Sequence, residues 1–139
     1  MVVSLRKVKR EDWDFILKLR NNKESSRNFY DHHIISKKEH YAYLKKQKRN
    51  PNFINRIICL DSNDVGYIRI LDGDISIMIQ KKRSNKGIGT KALRLMEKEA
   101  KKVGITKLIG RVMTFNKNSQ KIFEKNDYKL HMFWYEKDI

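Results

Sequence analysis

The sequence predicts an α+β domain with an antiparallel front half, and three observations carry that prediction. Runs with strand alternation and runs with helical spacing follow one another in the order β-α-α-β-β-β-α-β-α-β. The consecutive strands in the middle are joined by Asp61-Ser62-Asn63-Asp64 and by the tight turn Asp72-Gly73-Asp74. A chain of 139 residues, 40% of them apolar, fits one domain, 1–139, around one core.

The elements follow in order. Strand spacing opens the chain at Val2–Val8, and a helix from about Arg10 to Asn22 presents Trp13, Ile16, Leu17 and Leu19 as its apolar positions. The stretch Asn21–Ile35 is rich in turn formers. Ser36-Lys37-Lys38-Glu39 has the form of a capping box and starts a helix over Lys37–Lys48, which Asn50-Pro51-Asn52 breaks. Strands are expected at Ile54–Leu60, Val65–Leu71 and Ile75–Gln80, then an amphipathic helix over Lys91–Val103 and a strand over Thr106–Met113. Asn116-Lys117-Asn118-Ser119 opens a helix to Phe123-Glu124-Lys125, and Lys129–Tyr135 is expected as the last strand.

Several classes are excluded by composition. No run approaches the ~18 consecutive apolar residues of a membrane span, and the N-terminus lacks the apolar run of a signal peptide. The expected location is therefore the cytoplasm. Cys59 stands alone in the apolar run Ile57-Ile58-Cys59-Leu60, so it reads as a buried small hydrophobe. The histidines, His32, His33, His40 and His131, are scattered, and no metal site is expected.

The segment richest in chemistry is Arg83-Ser84-Asn85-Lys86-Gly87-Ile88-Gly89-Thr90, a basic, glycine-punctuated turn between a strand and a helix. Free N–H groups at a helix start, together with the positive helix end, suit a pyrophosphate. Glycines at 87 and 89 permit close approach of phosphates and positive φ. The order Gly89-Thr90-Lys91 does not match a triphosphate-binding loop, which needs Gly-Lys-Ser/Thr. A dinucleotide fold needs its glycine loop early in a βαβ unit, whereas this one follows several strands.

Gly87-Ile88-Gly89, continued by Leu93, Met96, Glu97, Ala100 and Gly104, resembles the Gln/Arg-x-x-Gly-x-Gly/Ala hallmark of the GNAT superfamily of acyl-CoA N-acyltransferases. The basic position of that hallmark falls on Ser84, with Arg83 one place earlier. Asn116 to Ser119 and Asn126-Asp127-Tyr128 match a second element of the family further along. The resemblance implies the GNAT fold, a mixed central sheet flanked by helices, and acetyl-CoA as acyl donor without a metal. It further implies a cofactor site made of Met78, Ile79, residues Arg83 to Thr90, Asn116, Ser119 and Phe123, with backbone groups of Met78 and Ile79 aligning the pantetheine. Asp74, at the entry of the fourth strand, stands where the family often places an acidic base. The family's usual acid, a tyrosine, aligns with Phe123, so Tyr128 or Ser119 would have to deliver the proton, or solvent would.

A closer resemblance lies in the N-terminal third. Leu19-Arg20-Asn21-Asn22, Arg27, Ile35-Ser36-x-x-Glu39-His40, Tyr41 and Leu44 resemble the N-acetyltransferases acting on UDP-4-amino-4,6-dideoxy sugars in pseudaminic-acid-type biosynthesis. The resemblance implies an acceptor pocket in which Arg20, Asn21, Arg27 and His40 bind a nucleotide-linked amino sugar. Two other readings stand beside it. One is a protein N-acetyltransferase acting on an N-terminal or ribosomal amine, and the other is a non-catalytic acyl-CoA or nucleic-acid binding module.

Charge bears on the partner. The net charge is +16, with 14 basic and 6 acidic side chains in residues 1–49, 2 and 4 in residues 50–80, and 16 and 6 in residues 81–139. The excess flanks the phosphate loop, and such a field attracts polyanions, which leaves nucleic acid open as a partner. A polycationic acceptor is disfavoured by repulsion. Oligomeric state is open, a homodimer included.

Overall fold

A computed structural model describes residues 1–139 except Arg27, His32 and Asn85, and all other side chains except those of Glu24 and Ser26. Its frame is an antiparallel sheet of β1 (Val3–Lys7), β2 (Phe53–Leu60), β3 (Asn63–Leu71) and β4 (Asp74–Ile79), in that spatial order. The helices are α1 (Trp13–Asn21), the short α2 (Lys23–Ser26), α3 (Lys37–Gln47), α4 (Ile88–Lys102) and α5 (Lys117–Lys125).

Both sheet hairpins are two-residue turns with positive φ at the two central residues, Asp61 and Ser62 in one, Asp72 and Gly73 in the other. That conformation matches the twist of paired strands, and Asp and Gly tolerate it best. Each strand alternates between two cores. Ile58, Leu60, Val65, Ile68, Ile70 and Ile75 pack under α4 through Ile88, Ala92, Leu93, Met96 and Ala100. Ile57, Cys59, Tyr67 and Met78 face the other way, onto Trp13, Ile16 and Leu19 of α1 and Leu44 of α3. Burying each such aliphatic side chain contributes about 1.5–3 kcal/mol. A register shift at Ile58/Cys59 leaves Val65 as the extra residue of β3, which places it in the same core as Ile68 and Ile70.

Ser36 caps α3 as its sequence suggests, its Oγ accepting from the Glu39 N–H at 3.1 Å. The sheet is shorter than expected at its far side. Of the strand predicted over Thr106–Met113, the structure keeps an isolated parallel bridge between Ile109 and Asp74. The segment predicted as a strand over Lys129–Tyr135 belongs to no ladder among the described residues. Strand propensity fits a pleated, half-buried surface with a paired neighbour; Thr106–Met113 keeps a half-buried face at Leu108, Gly110 and Val112 but pairs only at Ile109, and Lys129–Tyr135 has neither among the described residues. No described helix is long and apolar enough to cross a membrane.

Candidate active site

The parting of β4 from residue 110 onward creates the site. The Ile75 N–H donates to the Ile109 carbonyl at 2.9 Å, and the Ile109 N–H donates to the Gly73 carbonyl at 2.9 Å. Ile75 therefore directs its backbone groups away from β3, while the Gln80 N–H donates to Val65 of β3 at 2.9 Å. Backbone direction alternates along a strand, so Asp74, Ser76 and Met78 bond β3, whereas Ile77 and Ile79 direct N–H and C=O to the outer edge. No described ladder covers that edge beyond Ile75.

This corrects one expectation. Met78 cannot align an extended ligand by its backbone, because it is paired with Tyr67 of β3 and its side chain is buried against α1 and α3. Ile79 directs its backbone groups to the open edge, and so does Ile77, which sequence reasoning did not single out. A signal for it was present: in a two-residue turn such as Asp72-Gly73 the flanking residues Leu71 and Asp74 form a closing pair, which fixes the direction of every residue after it.

β4 leads through the turn Lys81–Arg83 to α4. The helix starts at Gly87, whose φ of 77° is left-handed; no side chain caps its first turn, and no acidic residue lies in it. The N–H groups of Ile88, Gly89 and Thr90 thus stand at a positive helix end with no internal anion. Arg83, half-buried, adds a buried Nε without a hydrogen-bond partner. A buried guanidinium nitrogen left unpaired is costly unless a ligand completes it, so the chemistry of this corner fits an anionic group. Lys86 is exposed beside it, Ser84 and Thr90 are half-buried, and Asn85 lies outside the described residues.

The two glycines serve different ends. A Cβ on Gly87 meets nothing within 4 Å, so that residue is needed for its backbone conformation. Gly89 is buried, and a Cβ there would lie 2.7 Å from Ile122 Cδ1 and 3.3 Å from Ile79 Cδ1. Its smallness serves the packing of α4 on α5 and β4 as well as any approach by phosphates.

Asp74 stands where β4 and residue 109 meet. Its carboxylate accepts from Arg69 Nη1 at 3.1 Å and from Arg111 Nε at 3.2 Å. Arg69 and Arg111 are the second omission of the sequence reading, because the pairing links residues 5 and 37 positions away. On the same sheet face Asn55 Nδ2 donates to the Tyr67 hydroxyl at 3.2 Å, and burial pushes the Tyr67 phenol well above its ordinary pKa. Phe123 packs its ring tip on Gly110, in the space a Cβ would take, and meets the Tyr128 ring edge-on at 5.0 Å. The Tyr128 hydroxyl is buried with no partner in hydrogen-bond geometry. Burial first, and Glu97 of α4 second, hold it well above an ordinary phenol, which makes it a weak proton donor. Asn116 and Ser119 cap α5: Asn116 Oδ1 accepts from the Ser119 N–H at 3.2 Å, and its Nδ2 donates to Ser119 Oγ at 3.0 Å.

Of the expected acceptor residues, Asn21 and His40 turn to backbone partners. Asn21 clamps the loop ahead of α3, donating to the Ile35 carbonyl at 2.8 Å and accepting from the Ile35 N–H at 2.9 Å. His40 is buried, with Nε2 2.8 Å from the Trp13 carbonyl, and burial lowers its pKa. Both are spent on backbone partners, because a buried polar group must find one. Arg20 differs. Its guanidinium stacks on Phe29 at 4.1 Å and donates to the Asp31 carbonyl at 2.6 Å, yet Nη1 is buried without a partner. Arg27 lies outside the described residues.

Sheet, uncapped helix start and open β4 edge are the setting in which comparison with known proteins becomes informative. The family model described as acetyltransferase (GNAT) domain matches residues 3–129. The chain belongs to that family and is an acyltransferase. Among solved structures it is similar to a domain from Methanocaldococcus jannaschii, at 23% identity and TM-score 0.82 over 92% of this chain and 88% of that one. A spermidine N-acetyltransferase from Vibrio cholerae, in complex with CoA and spermine, gives 18% and 0.77 over 88% and 78%. A ribosomal-protein-alanine N-acetyltransferase from Brucella melitensis gives 16% and 0.74 over 91% and 83%. Comparison with curated proteins finds no significant match.

Proposed function

We propose that this protein moves an acetyl group from acetyl-CoA to the primary amine of a nucleotide-linked amino sugar. The observation that carries the donor half is the unpaired β4 edge at Ile77 and Ile79 leading to the uncapped start of α4. In this reading the pantetheine lies along that edge and the pyrophosphate rests on the first-turn N–H groups with Arg83. Solved relatives in complex with CoA support it.

The chemistry follows from the residues at the vertex. An N–H of the open edge polarises the thioester carbonyl as charge builds on its oxygen. The amine attacks unprotonated. Arg69 and Arg111 already occupy the Asp74 carboxylate, so its part is to orient the amine, and water takes the proton. Phe123 has no proton to give and Tyr128 is held by its surroundings, so the departing thiolate is protonated from solvent. Orientation of amine and thioester then supplies most of the barrier reduction, up to roughly 7–11 kcal/mol in well-aligned cases.

The acceptor half rests on the resemblance around Arg20 and on its unpartnered Nη1, a donor suited to a diphosphate. The basic surface favours an anionic acceptor over a polyamine. A protein amine is the second reading, favoured by the internal use of Asn21 and His40, which leaves fewer donors for a sugar. The test is acetyl transfer to a UDP-4-amino sugar beside a peptide panel, with Arg20→Ala as the variant. A lost charge-assisted bond corresponds to a rise of about tenfold or more in KM for the sugar, with KM for acetyl-CoA unchanged. Faster turnover of a peptide, or equal loss on both substrates, promotes the protein acceptor.

A further inference from the structure

The sheet face under α1 and α3 changes character from one level to the next. Ile57, Tyr67 and Met78 lie side by side across β2, β3 and β4, all buried. Two residues along, the same face carries Asn55, Arg69 and Ser76, and the next level carries Phe53, Leu71 and Asp74. Tyr43 of α3 covers this end, its ring edge-on to Phe53 at 6.3 Å.

A guanidinium in a covered sheet face is costly to hold unless it is paired. Arg69, whose side chain is 18% exposed, uses one nitrogen for this: Nη1 donates to the Asp74 carbonyl at 2.9 Å and to its carboxylate at 3.1 Å. Arg111 reaches the same carboxylate from the far lip of the opening, past the bridge at Ile109, through Nε at 3.2 Å. Its side chain is 66% exposed, and an exposed ion pair is weak. Two guanidiniums thus share one carboxylate, and the vertex keeps a positive charge. Their other nitrogens make no hydrogen bond among the described residues.

We propose that Arg69 and Arg111 read an anionic group, a carboxylate or a phosphate, that the acceptor carries close to its reacting amine. The arriving ammonium replaces Arg111 on Asp74 Oδ1, and the released guanidinium closes with Arg69 on the acceptor's anion. Asp74 keeps two cations throughout, and each guanidinium uses the donors that Asp74 leaves free. A polyamine brings no anion, so it would leave Arg111 unpaired and set charge beside like charge. The inference rests on Asp74 as the group that orients the amine, and it does not require the amine to belong to a nucleotide-linked sugar.

Two measurements test it. In the CoA-bound protein, NMR signals of the arginine Nε–Hε groups are followed while inorganic phosphate or acetate is added. Those of Arg69 and Arg111 are expected to shift in a saturable way with at least one of the two ions. Acetyl transfer is then compared within matched pairs: α-amino acids against their amides, and a 4-amino-4,6-dideoxy sugar 1-phosphate against the free sugar. The wild type is expected to prefer the anionic member of one pair, which tells carboxylate from phosphate. In Arg111→Ala the ratio of kcat/KM within that pair should fall about ten- to hundredfold, the loss of a charge-assisted bond, and Arg111→Lys should recover part of it. A preference for amino acids without transfer to a UDP-4-amino sugar sinks the nucleotide reading and leaves this one standing. Absence of a saturable shift at both arginines overturns the proposal, as does an Arg111→Ala variant that loses both members of the pair alike.

Discussion

Arg83→Glu is expected to weaken acetyl-CoA binding by about ten- to hundredfold while the urea midpoint stays put. Hydrogen bonds to charged groups contribute about 1.5–3 kcal/mol each, and every 1.4 kcal/mol is a factor of ten. The buried Arg83 Nε has no partner within the chain, so the substitution removes no internal bond. Reversal also brings a negative charge to the uncapped start of α4, where the phosphates would lie. Gly87→Val should act alike through the backbone, because a β-branched residue resists a φ of 77°. Gly89→Val is a poorer probe: its side chain runs into Ile122 and Ile79, so the fold suffers along with the ligand. Calorimetry on folded variants decides; unchanged affinity in Arg83→Glu removes this loop from the donor site.

The second large effect is expected at Gly110. A methyl group there overlaps the ring tip of Phe123, and overpacking of this kind costs about 1–3 kcal/mol. The ring cannot yield freely, since Tyr128 stands edge-on to it. Phe123→Leu in the Gly110→Ala background should restore part of the loss although Phe123→Leu alone is destabilising, the non-additivity of residues in contact. Phe123→Tyr adds an oxygen at the carbon facing Gly110 and should also lower stability, so restoring the family's tyrosine here does not come free of strain. Urea unfolding of the four proteins measures the cycle. A neutral Gly110→Ala contradicts the seating of Phe123.

What was legible in the sequence was local. The turn at Asp72-Gly73, the Ser36 cap and the apolar face of α4 follow from neighbours a few residues apart, and each forms as expected, whereas the expected connection Asp61–Asp64 tightens to a turn at Asp61-Ser62, with Asn63 and Asp64 already in β3. The glycine turn into α4 was legible as a helix start, although the packing task of Gly89 depends on Ile122, which belongs to another helix. The ion pairing of Asp74 was not legible, because Arg69 and Arg111 reach it only once β3, β4 and residue 109 have met. His40 and Asn21 matched a family pattern by position, but position does not say where a polar group points; the Trp13 carbonyl and Ile35 take them. Thr106–Met113 and Lys129–Tyr135 have strand-forming residues, and propensity without a partner left one bridge from the first and an exposed segment from the second.

The most direct measurement is residue-resolved amide hydrogen exchange with and without acetyl-CoA. If the donor lies along the open edge of β4 with its phosphates on α4, exchange at Ile77, Ile79, Gly89 and Thr90 slows when acetyl-CoA is added, while Met78, already paired with β3, is slow in both states. Acetyl-CoA that leaves those four amides exchanging as before, or protects a different strand edge, contradicts the account.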